Sequence, residues 1–215
     1  MGSDSNKDLT VAGEVFHMRV LYSADVFALV PLEEDIFPHE AWSESLLLEE
    51  LTRHDRYYLG IFTPDQELVA YAGVRVGQDT DLMTIGVAPH WRGRGLGRAL
   101  LLELVGAVQD MGILNAGHWY LRCAEPAPGG ELTGSATPHT SADRDASGAT
   151  PAAEIAPSER QVERILLEVR ASNMPAQRLY HSVGFTEVGR IPRYYHHPLE
   201  DAVVMALEDL PRWQH

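Results

Sequence analysis

The stretch VAPHWRGRGLGRALL, from Val87 to Leu101, ends a predicted strand at a proline, spaces three glycines at alternate positions and starts a helix at once. Glycine lets the backbone turn tightly and bring its N–H groups close to a ligand. Because a helix N-terminus carries a partial positive charge, such a turn suits a phosphate or a pyrophosphate. Arg92, Arg94 and Arg98 place three positive charges around it, in a chain of formal net charge −14. The stretch therefore predicts a phosphate-binding turn in an α/β fold; the alternative is a glycine-rich turn whose arginines are only solvated.

Two other kinds of phosphate loop are excluded by their spacing. A dinucleotide-binding fingerprint needs G-x-G-x-x-G and an acidic residue about 20 positions further on. Here Gly93, Gly95 and Gly97 give G-x-G-x-G, and the corresponding later residues, GHWY, contain no acid. The loop of a nucleoside triphosphatase ends in Gly-Lys-Ser/Thr, which this stretch lacks. A nicotinamide dinucleotide and a nucleoside triphosphate are therefore both poor candidates for the ligand.

A second stretch, LLEVRASNMPAQRLYHSVGF from Leu166 to Phe185, combines a strand with a helix. Alternate apolar residues over 165–169 predict the inward face of the strand, and Glu168 lies on its other face, close to the strand end. Sites of open α/β sheets lie at such ends. A carboxylate at such a place can accept or donate a proton. Glu168 is therefore a candidate acid–base residue; the alternative is a solvated glutamate at a strand edge.

The remaining pattern predicts alternating strands and helices, which indicates an α/β fold with a mixed sheet. Ser43 is the expected N-cap of the second helix. We predict strands over 16–21, 57–62, 67–76, 81–87, 164–170, 185–190 and 202–207, and helices over 24–35, 43–51, 95–111 and 175–183. The helix over 95–111 has one apolar stripe, formed by Leu96, Leu100, Leu101, Leu104, Val105 and Val108. Gly184 is expected to end the last helix in a left-handed cap.

Two segments differ in composition from the rest. Residues 1–15 are expected to be a disordered tail. Residues 124–160 contain 26 Ala, Gly, Pro, Ser or Thr among 37 positions. The segment therefore has too few large apolar residues to offset the entropy of ordering, so a flexible insertion is expected. A single domain is then left, formed by residues 16–123 and 161–210. Whether GHWYLRC, at 117–123, forms a strand is left open.

The composition excludes several classes of protein. A net charge of −14 argues against nucleic-acid binding, which needs a basic surface, and is compatible with a cationic substrate. No apolar run reaches the roughly 18 residues that span a bilayer, and the N-terminus lacks the features of a secretory signal. Cys123 is the only cysteine, so no internal disulfide can form. We therefore expect a cytoplasmic protein with no membrane partner, and since the histidines show no metal-ligand spacing, no metal.

Four blocks carry a resemblance to a known family. Arg92–Gly97 matches the Q/R-x-x-G-x-G/A signature of the GCN5-related N-acetyltransferases (GNAT). The stretch 166–185, together with FPHEAW-S at 37–43 and RIPRYYHHPLEDAVVMAL at 190–207, resembles the RimI branch of that family, although two extra residues precede Trp42. The resemblance covers residues 16–210 apart from the insertion. It implies a GNAT fold, with a mixed, mostly antiparallel sheet flanked by helices, and acetyl-CoA as co-substrate.

The resemblance also implies roles for individual residues. Glu168 is implied as general base, directly or through water, and Tyr180 as general acid; the alternative for Tyr180 is a packing residue. Asn173 caps its helix and is implied to contact the coenzyme. The residues implied to bind the pyrophosphate are Arg92, Gly93, Arg94, Gly95, Leu96, Gly97 and Arg98. Those implied to bind the pantetheine are Ile85, Gly86 and Val87, and those implied to bind the substrate peptide are Tyr194 and Tyr195.

The RimI branch acetylates the N-terminal alanine of a small-subunit ribosomal protein, number eighteen in its series. The resemblance therefore implies the N-terminal segment of such a protein as substrate and partner. Acidic residues near the first interhelical loop (Glu33, Glu34, Asp35, Glu40 and Glu44) can attract a basic peptide or can form a solvated face. The alternatives are acetylation of another amine, namely other N-termini, a lysine or a small molecule, and a non-catalytic acetyl-CoA-binding module. Because a module that only binds needs neither Glu168 nor Tyr180, their joint presence argues against the last.

Overall fold

A computed structural model describes residues 7–77, 79–113 and 162–208. Their strands and helices alternate in the predicted manner. The strands are β1 (Lys7–Val11), β2 (Glu14–Val20), β3 (Arg56–Phe62), β4 (Leu68–Arg75), β5 (Asp79–Val87), β6 (Arg164–Arg170), β7 (Thr186–His196) and β8 (Leu199–Leu207). The helices are α1 (Val26–Ile36), α2 (Glu44–Thr52), α3 (Leu96–Ile113) and α4 (Met174–His181).

The eight described strands form one sheet in the order β1-β2-β3-β4-β5-β6-β8-β7. All neighbouring pairs are antiparallel except β5 and β6, which are parallel. The predicted mixed sheet is confirmed, and the strand over 164–170 has the predicted bounds. The predicted N-cap of α2 is also confirmed, because the Ser43 hydroxyl accepts a hydrogen bond from the Leu46 N–H at 3.3 Å.

The expectation of a disordered tail over 1–15 is wrong for residues 7–15. Lys7–Val11 forms β1, which pairs with β2 through a turn at Ala12 and Gly13. Both turn residues have positive φ, as a tight hairpin turn requires. The Lys7 ammonium also contacts Glu103 of α3 at 2.7 Å. The polar sequence conceals this strand because it lies at the sheet edge, where few of its residues need to be buried.

Several other predictions have a different outcome. The closing hairpin is longer than predicted, since β7 continues to His196 and β8 begins at Leu199. Residues 1–6, the predicted insertion at 124–160 and the GHWYLRC segment lie outside the described residues. None of the helices in the described ranges is long and apolar enough to cross a lipid bilayer.

Helices cover both faces of the sheet. The predicted apolar stripe of α3 is entirely buried and packs on one face, together with Tyr180 of α4 and the inward residues of β6. α1 and α2 cover part of the other face, where Leu29, Leu47 and Tyr71 belong to a second core cluster. The stripe consists of Leu96, Leu100, Leu101, Leu104, Val105 and Val108.

The centre of the sheet opens into a fork. β5 and β6 pair only over residues 79–81 and 164–166. Beyond these residues β5 continues along β4 to Val87, while β6 continues along β8 to Arg170. A bulge contributes to the separation, because β5 pairs Thr84 with Gly73 but Leu82 with Val74 and so has one extra residue. The fork brings the ends of both strands to one cleft.

Candidate active site

Glu168 lies at the fork, two residues beyond the last residue of β6 that pairs with β5. Its side chain is exposed, whereas its neighbours Leu167 and Val169 are buried on the opposite face beside α3. Alternation of side chains along the strand therefore places Glu168 on the face that α1 and α2 partly cover. The predicted orientation of this carboxylate, away from the α3 core, is confirmed.

The surroundings of Glu168 favour its protonated form. Partial removal from water raises the pKa of Glu168, and the negative charge of Asp81 raises it further. Arg75 opposes this effect, but its guanidinium is paired with Asp81, with Nε 2.8 Å from Oδ2. A carboxylate whose pKa lies above its usual range accepts a proton more readily, as a general base must.

Tyr180 lies on the opposite face of the sheet from Glu168. The side chain is 6% exposed within the α3-facing core, and its ring centroid lies 5.9 Å from that of Phe185. Burial, followed by the proximity of Tyr195, raises the pKa of Tyr180 well above its usual value. The phenol therefore stays protonated at neutral pH and can donate a proton.

The short helix α4 fixes Tyr180. Asn173 is its N-cap, since the Asn173 side-chain oxygen accepts a hydrogen bond from the Ala176 N–H at 3.2 Å. Gly184 follows the helix with φ of +109°, a backbone conformation that residues with a side chain rarely adopt. Both predicted ends of the helix are thus explained by local hydrogen bonding and backbone geometry.

Tyr195 links the two sides of the fork. Its hydroxyl donates to the carbonyl of Glu168 at 3.3 Å, and it influences the pKa of Tyr180. Burial, and to a smaller extent the electrostatic effect of Tyr194, raises the pKa of Tyr195 to about 12. Tyr194 is 46% exposed, and burial followed by the charge of Glu168 raises its pKa too. The structure therefore brings both tyrosines close to Glu168, with Tyr194 accessible to a substrate.

The glycine-rich turn has the backbone conformation for which glycine is suited. Gly93 and Gly95 have φ of +75° and +97°, and α3 begins immediately afterwards at Leu96. A Cβ at Gly93 would meet nothing within 4 Å, so the turn leaves room for a ligand there. The Leu96 side chain is buried in the core, so only its backbone N–H is available for the role implied by the sequence. Gly97 lies inside the helix.

The three arginines of the turn differ in their contacts with the rest of the protein. Arg92 Nε donates to the Val87 carbonyl at 2.9 Å. Arg94 contacts both carboxylate oxygens of Glu14, at 3.0 and 2.9 Å, and lies 4.5 Å from the centroid of the Trp91 ring. Arg98 is exposed and has no ion pair within the described ranges. The contact with Glu14 was not predicted, because residues 1–15 were expected to be a disordered tail.

The predicted pantetheine strand borders the fork. Ile85 and Val87 are partly buried, and Gly86 is buried under α1, where an added Cβ would lie 2.7 Å from Ile36 Cδ1. β5 pairs with β4 on one side along this stretch. On the side of the fork its backbone groups face the cleft, which an extended ligand can occupy.

The acidic residues around the first interhelical loop do not form one solvated face. Glu33 is 2% exposed, and its carboxylate accepts hydrogen bonds from the Tyr71 hydroxyl and, at 3.1 Å, from the Trp42 N–H. Burial raises the pKa of Glu33 above its usual range. Glu40 pairs with Arg170, a residue that the sequence analysis did not select. In the described ranges no group of His, Cys, Asp and Glu side chains is arranged to hold a metal ion.

Comparison with known proteins gives related sequences of modest identity. The profile of the acetyltransferase (GNAT) family matches residues 26–125. An uncharacterised protein of Mycobacterium leprae is 31% identical over 208 residues, which is 94% of this chain, but the chain spans only 43% of that protein's length. The N-alpha-acetyltransferase RimI of Mycobacterium tuberculosis is 28% identical, covering 92% of this chain and 95% of the relative. The ribosomal protein bS18-alanine N-acetyltransferase of Salmonella typhimurium is 27% identical, covering 88% and 95%.

The fold has a close counterpart among solved structures. The crystal structure of the ribosomal-protein-alanine N-acetyltransferase of Escherichia coli superposes with a TM-score of 0.62 at 24% identity, covering 89% of this chain and 92% of the other. This likeness concerns the fold and confirms the predicted GNAT architecture. The family match over residues 26–125 and the relatives named RimI show that the chain carries an acetyltransferase domain of the GNAT family.

Proposed function

We propose that the protein is an acetyl-CoA-dependent Nα-acetyltransferase of the RimI type. Its substrate would be the N-terminal alanine of small-subunit ribosomal protein eighteen, as the name of the Salmonella typhimurium relative suggests. The observation that carries the proposal is the position of Glu168 at the fork, with Tyr180 on the opposite face of the sheet and Tyr195 near both residues. An acid–base pair on either side of a thioester is what amine acetylation requires.

The coenzyme would be held by the turn and by β5. Backbone N–H groups from Gly93 to Arg98 at the start of α3 suit its pyrophosphate. Arg98, which has no ion pair among the described residues, can supply a positive charge there. The open edge of β5 at Ile85–Val87 suits the extended pantetheine, which would point the thioester into the fork. Asn173 would contact the coenzyme from the start of α4.

The proposed reaction moves two protons off the amine nitrogen. Glu168 takes the first from the substrate α-ammonium, directly or through a water molecule, and the neutral amine nitrogen then forms a bond to the thioester carbonyl carbon. As the carbon–sulfur bond breaks, the Tyr180 hydroxyl gives its proton to the departing thiolate. The second proton leaves the nitrogen as it becomes an amide and restores the Tyr180 hydroxyl, through water, while Glu168 releases its proton to solvent. Tyr194 and Tyr195 would orient the peptide beside Glu168.

Two substitutions test the assignment with an Ala-starting peptide. Glu168→Gln keeps the side-chain size but cannot take a proton, and Tyr180→Phe removes the proton donor. Each should lower kcat by about 10²-fold to 10⁴-fold, while the Kd of coenzyme A, measured by calorimetry, stays within twofold or so of wild type. Glu49→Gln on the exposed face of α2 is the charge-matched control. Wild-type turnover by Glu168→Gln at neutral pH would refute the general-base role.

The same assay separates the alternative functions. A peptide with a blocked N-terminus and one internal lysine tests the lysine alternative, and a set of small polyamines tests small-molecule acetylation. Faster turnover of either than of the Ala-starting peptide would contradict the proposed substrate. A protein that binds acetyl-CoA but acetylates none of them would be the non-catalytic module.

A further inference from the structure

Arg170, the last residue of β6, has an unusually large set of partners. It lies two residues beyond Glu168 on the same face of the strand, and its side chain is only 17% exposed. The guanidinium contacts the Glu40 carboxylate, Glu200 Oε2 at 3.3 Å, the carbonyls of His197 at 3.0 Å and Pro198 at 3.3 Å, and the Tyr195 ring, whose centroid is 4.2 Å away.

These partners belong to separate parts of the chain. Glu40 lies in the loop between α1 and α2, 130 positions before Arg170. The other partners lie in or next to the turn that joins β7 to β8. Arg170 therefore joins the α1–α2 loop to the β7–β8 turn, beside the face of the sheet that carries Glu168.

The same loop is fixed a second time. The Trp42 N–H donates to the buried Glu33 carboxylate, and the Glu40 N–H donates to the Phe37 carbonyl at 3.0 Å. Those two bonds act within the α1–α2 region, whereas the contact with Arg170 is made to another part of the sheet. Loss of the Arg170 contact should therefore leave the loop folded but free to move relative to the β7–β8 turn.

A guanidinium is suited to this junction and an ammonium is not. Its planar group can donate from two nitrogens at once and stack on an aromatic ring, which a lysine cannot reproduce. Glu200 is also fixed, because the Ser172 N–H donates to its other carboxylate oxygen. With Arg170 and Glu200 each 17% exposed, this ion pair is shielded from solvent more than an ordinary surface pair.

We infer that Arg170 is a positioning residue for the substrate peptide, a role that rests on the proposed function. The residue holds the α1–α2 loop at a fixed distance from the β7–β8 hairpin, so that the loop and Tyr194 form two walls of one cleft. Two strand residues correspond to about 7 Å, so the junction lies beside the second residue of an extended peptide whose amine is at Glu168. Arg170 itself touches neither the amine nor the thioester.

This role predicts a specific kinetic pattern. Glu40→Ala and Arg170→Lys should each raise the KM for the peptide by about tenfold, which corresponds to about 1.4 kcal/mol of binding free energy. Because the reacting groups are not touched, kcat should change by less than about threefold. Coenzyme A affinity should not change. Glu49→Ala, at an exposed acidic residue of α2, is the matched control and should leave all three constants unchanged.

Steady-state kinetics and hydrogen exchange together test the inference. Exchange of the backbone amides over 37–43, measured without substrate, should speed up in Glu40→Ala and in Arg170→Lys but not in Glu49→Ala. Faster exchange with a raised peptide KM supports the positioning role. An unchanged KM refutes it, whatever the exchange shows, and so does a fall in kcat with no change in KM. If the wild-type protein does not acetylate the peptide, the proposed function fails instead. Hydrogen exchange alone then tests whether Arg170 holds the α1–α2 loop, and unchanged exchange in both variants refutes that role.

Discussion

Replacing Gly95 by alanine isolates the contribution of backbone conformation to coenzyme binding. Gly95 has φ of +97°, in the region that disfavours any residue with a Cβ. A Cβ added there would have one close neighbour, Val11 Cγ1 at 3.5 Å, which is an ordinary van der Waals contact. The substitution should therefore act through backbone strain and not through a steric clash with the protein.

The size of the effect follows from that strain. A residue with a Cβ in a left-handed conformation costs about 1–2 kcal/mol. If the free loop relaxes to relieve the strain, binding must restore it, and the affinity for coenzyme A should fall by about 5-fold to 30-fold. The loop lies at the surface, so the melting temperature should change little.

Gly97→Ala is the control within the same turn. Gly97 lies in α3 without a positive φ, and an added Cβ would be 3.4 Å from Val87 Cγ2 and 3.5 Å from Leu179 Cδ2. Both contacts are ordinary, so coenzyme A affinity should stay near wild type. Calorimetric titration of both variants with coenzyme A decides the matter. Equal affinities for Gly95→Ala and wild type would show that the positive φ of this turn is not needed for binding.

Two further predictions concern ionisable groups. Asp81→Asn removes a negative charge that raises the pKa of Glu168, and it frees Arg75, whose positive charge lowers that pKa. The acid limb of the kcat/KM profile should therefore move to lower pH. An acid limb that stays in place or moves to higher pH would contradict this. Burial raises the pKa of Glu33 in the folded state, so its contribution to stability is present below the unfolded pKa and is lost as pH rises through the folded pKa. Glu33→Gln cannot ionise, so its free energy of unfolding should rise relative to that of wild type as the pH goes from mildly acidic to mildly alkaline. Urea unfolding across that range measures the difference. A difference that does not change with pH would exclude ionisation of Glu33 as its cause.

Local features of the chain were predicted well from sequence. The bounds of β6, the Ser43 and Asn173 caps and the buried stripe of α3 all follow from short-range spacing and capping chemistry. The glycines at 93 and 95 do adopt the positive φ for which glycine is suited. These features depend on residues within a few positions of one another, so a single sequence contains the relevant information.

Long-range features were not accessible in this way. Alternation along β6 predicts two faces but does not say which helices cover each of them. It therefore does not predict that Glu168 and Tyr180 lie on opposite faces of the sheet. The burial of Glu33 and the strand at residues 7–11 also depend on neighbours distant in sequence.

The clearest contrast lies within β6, between its residues 165–169 and its last residue, Arg170. The apolar alternation over 165–169 was sufficient to predict the strand and the outward direction of its glutamate, because both follow from the period of the backbone. The partners of Arg170, one residue later, lie 130 positions before it and about 30 after it in the chain. No local pattern encodes such contacts, since they exist only when the sheet order brings the α1–α2 loop and the β7–β8 turn to the same strand end.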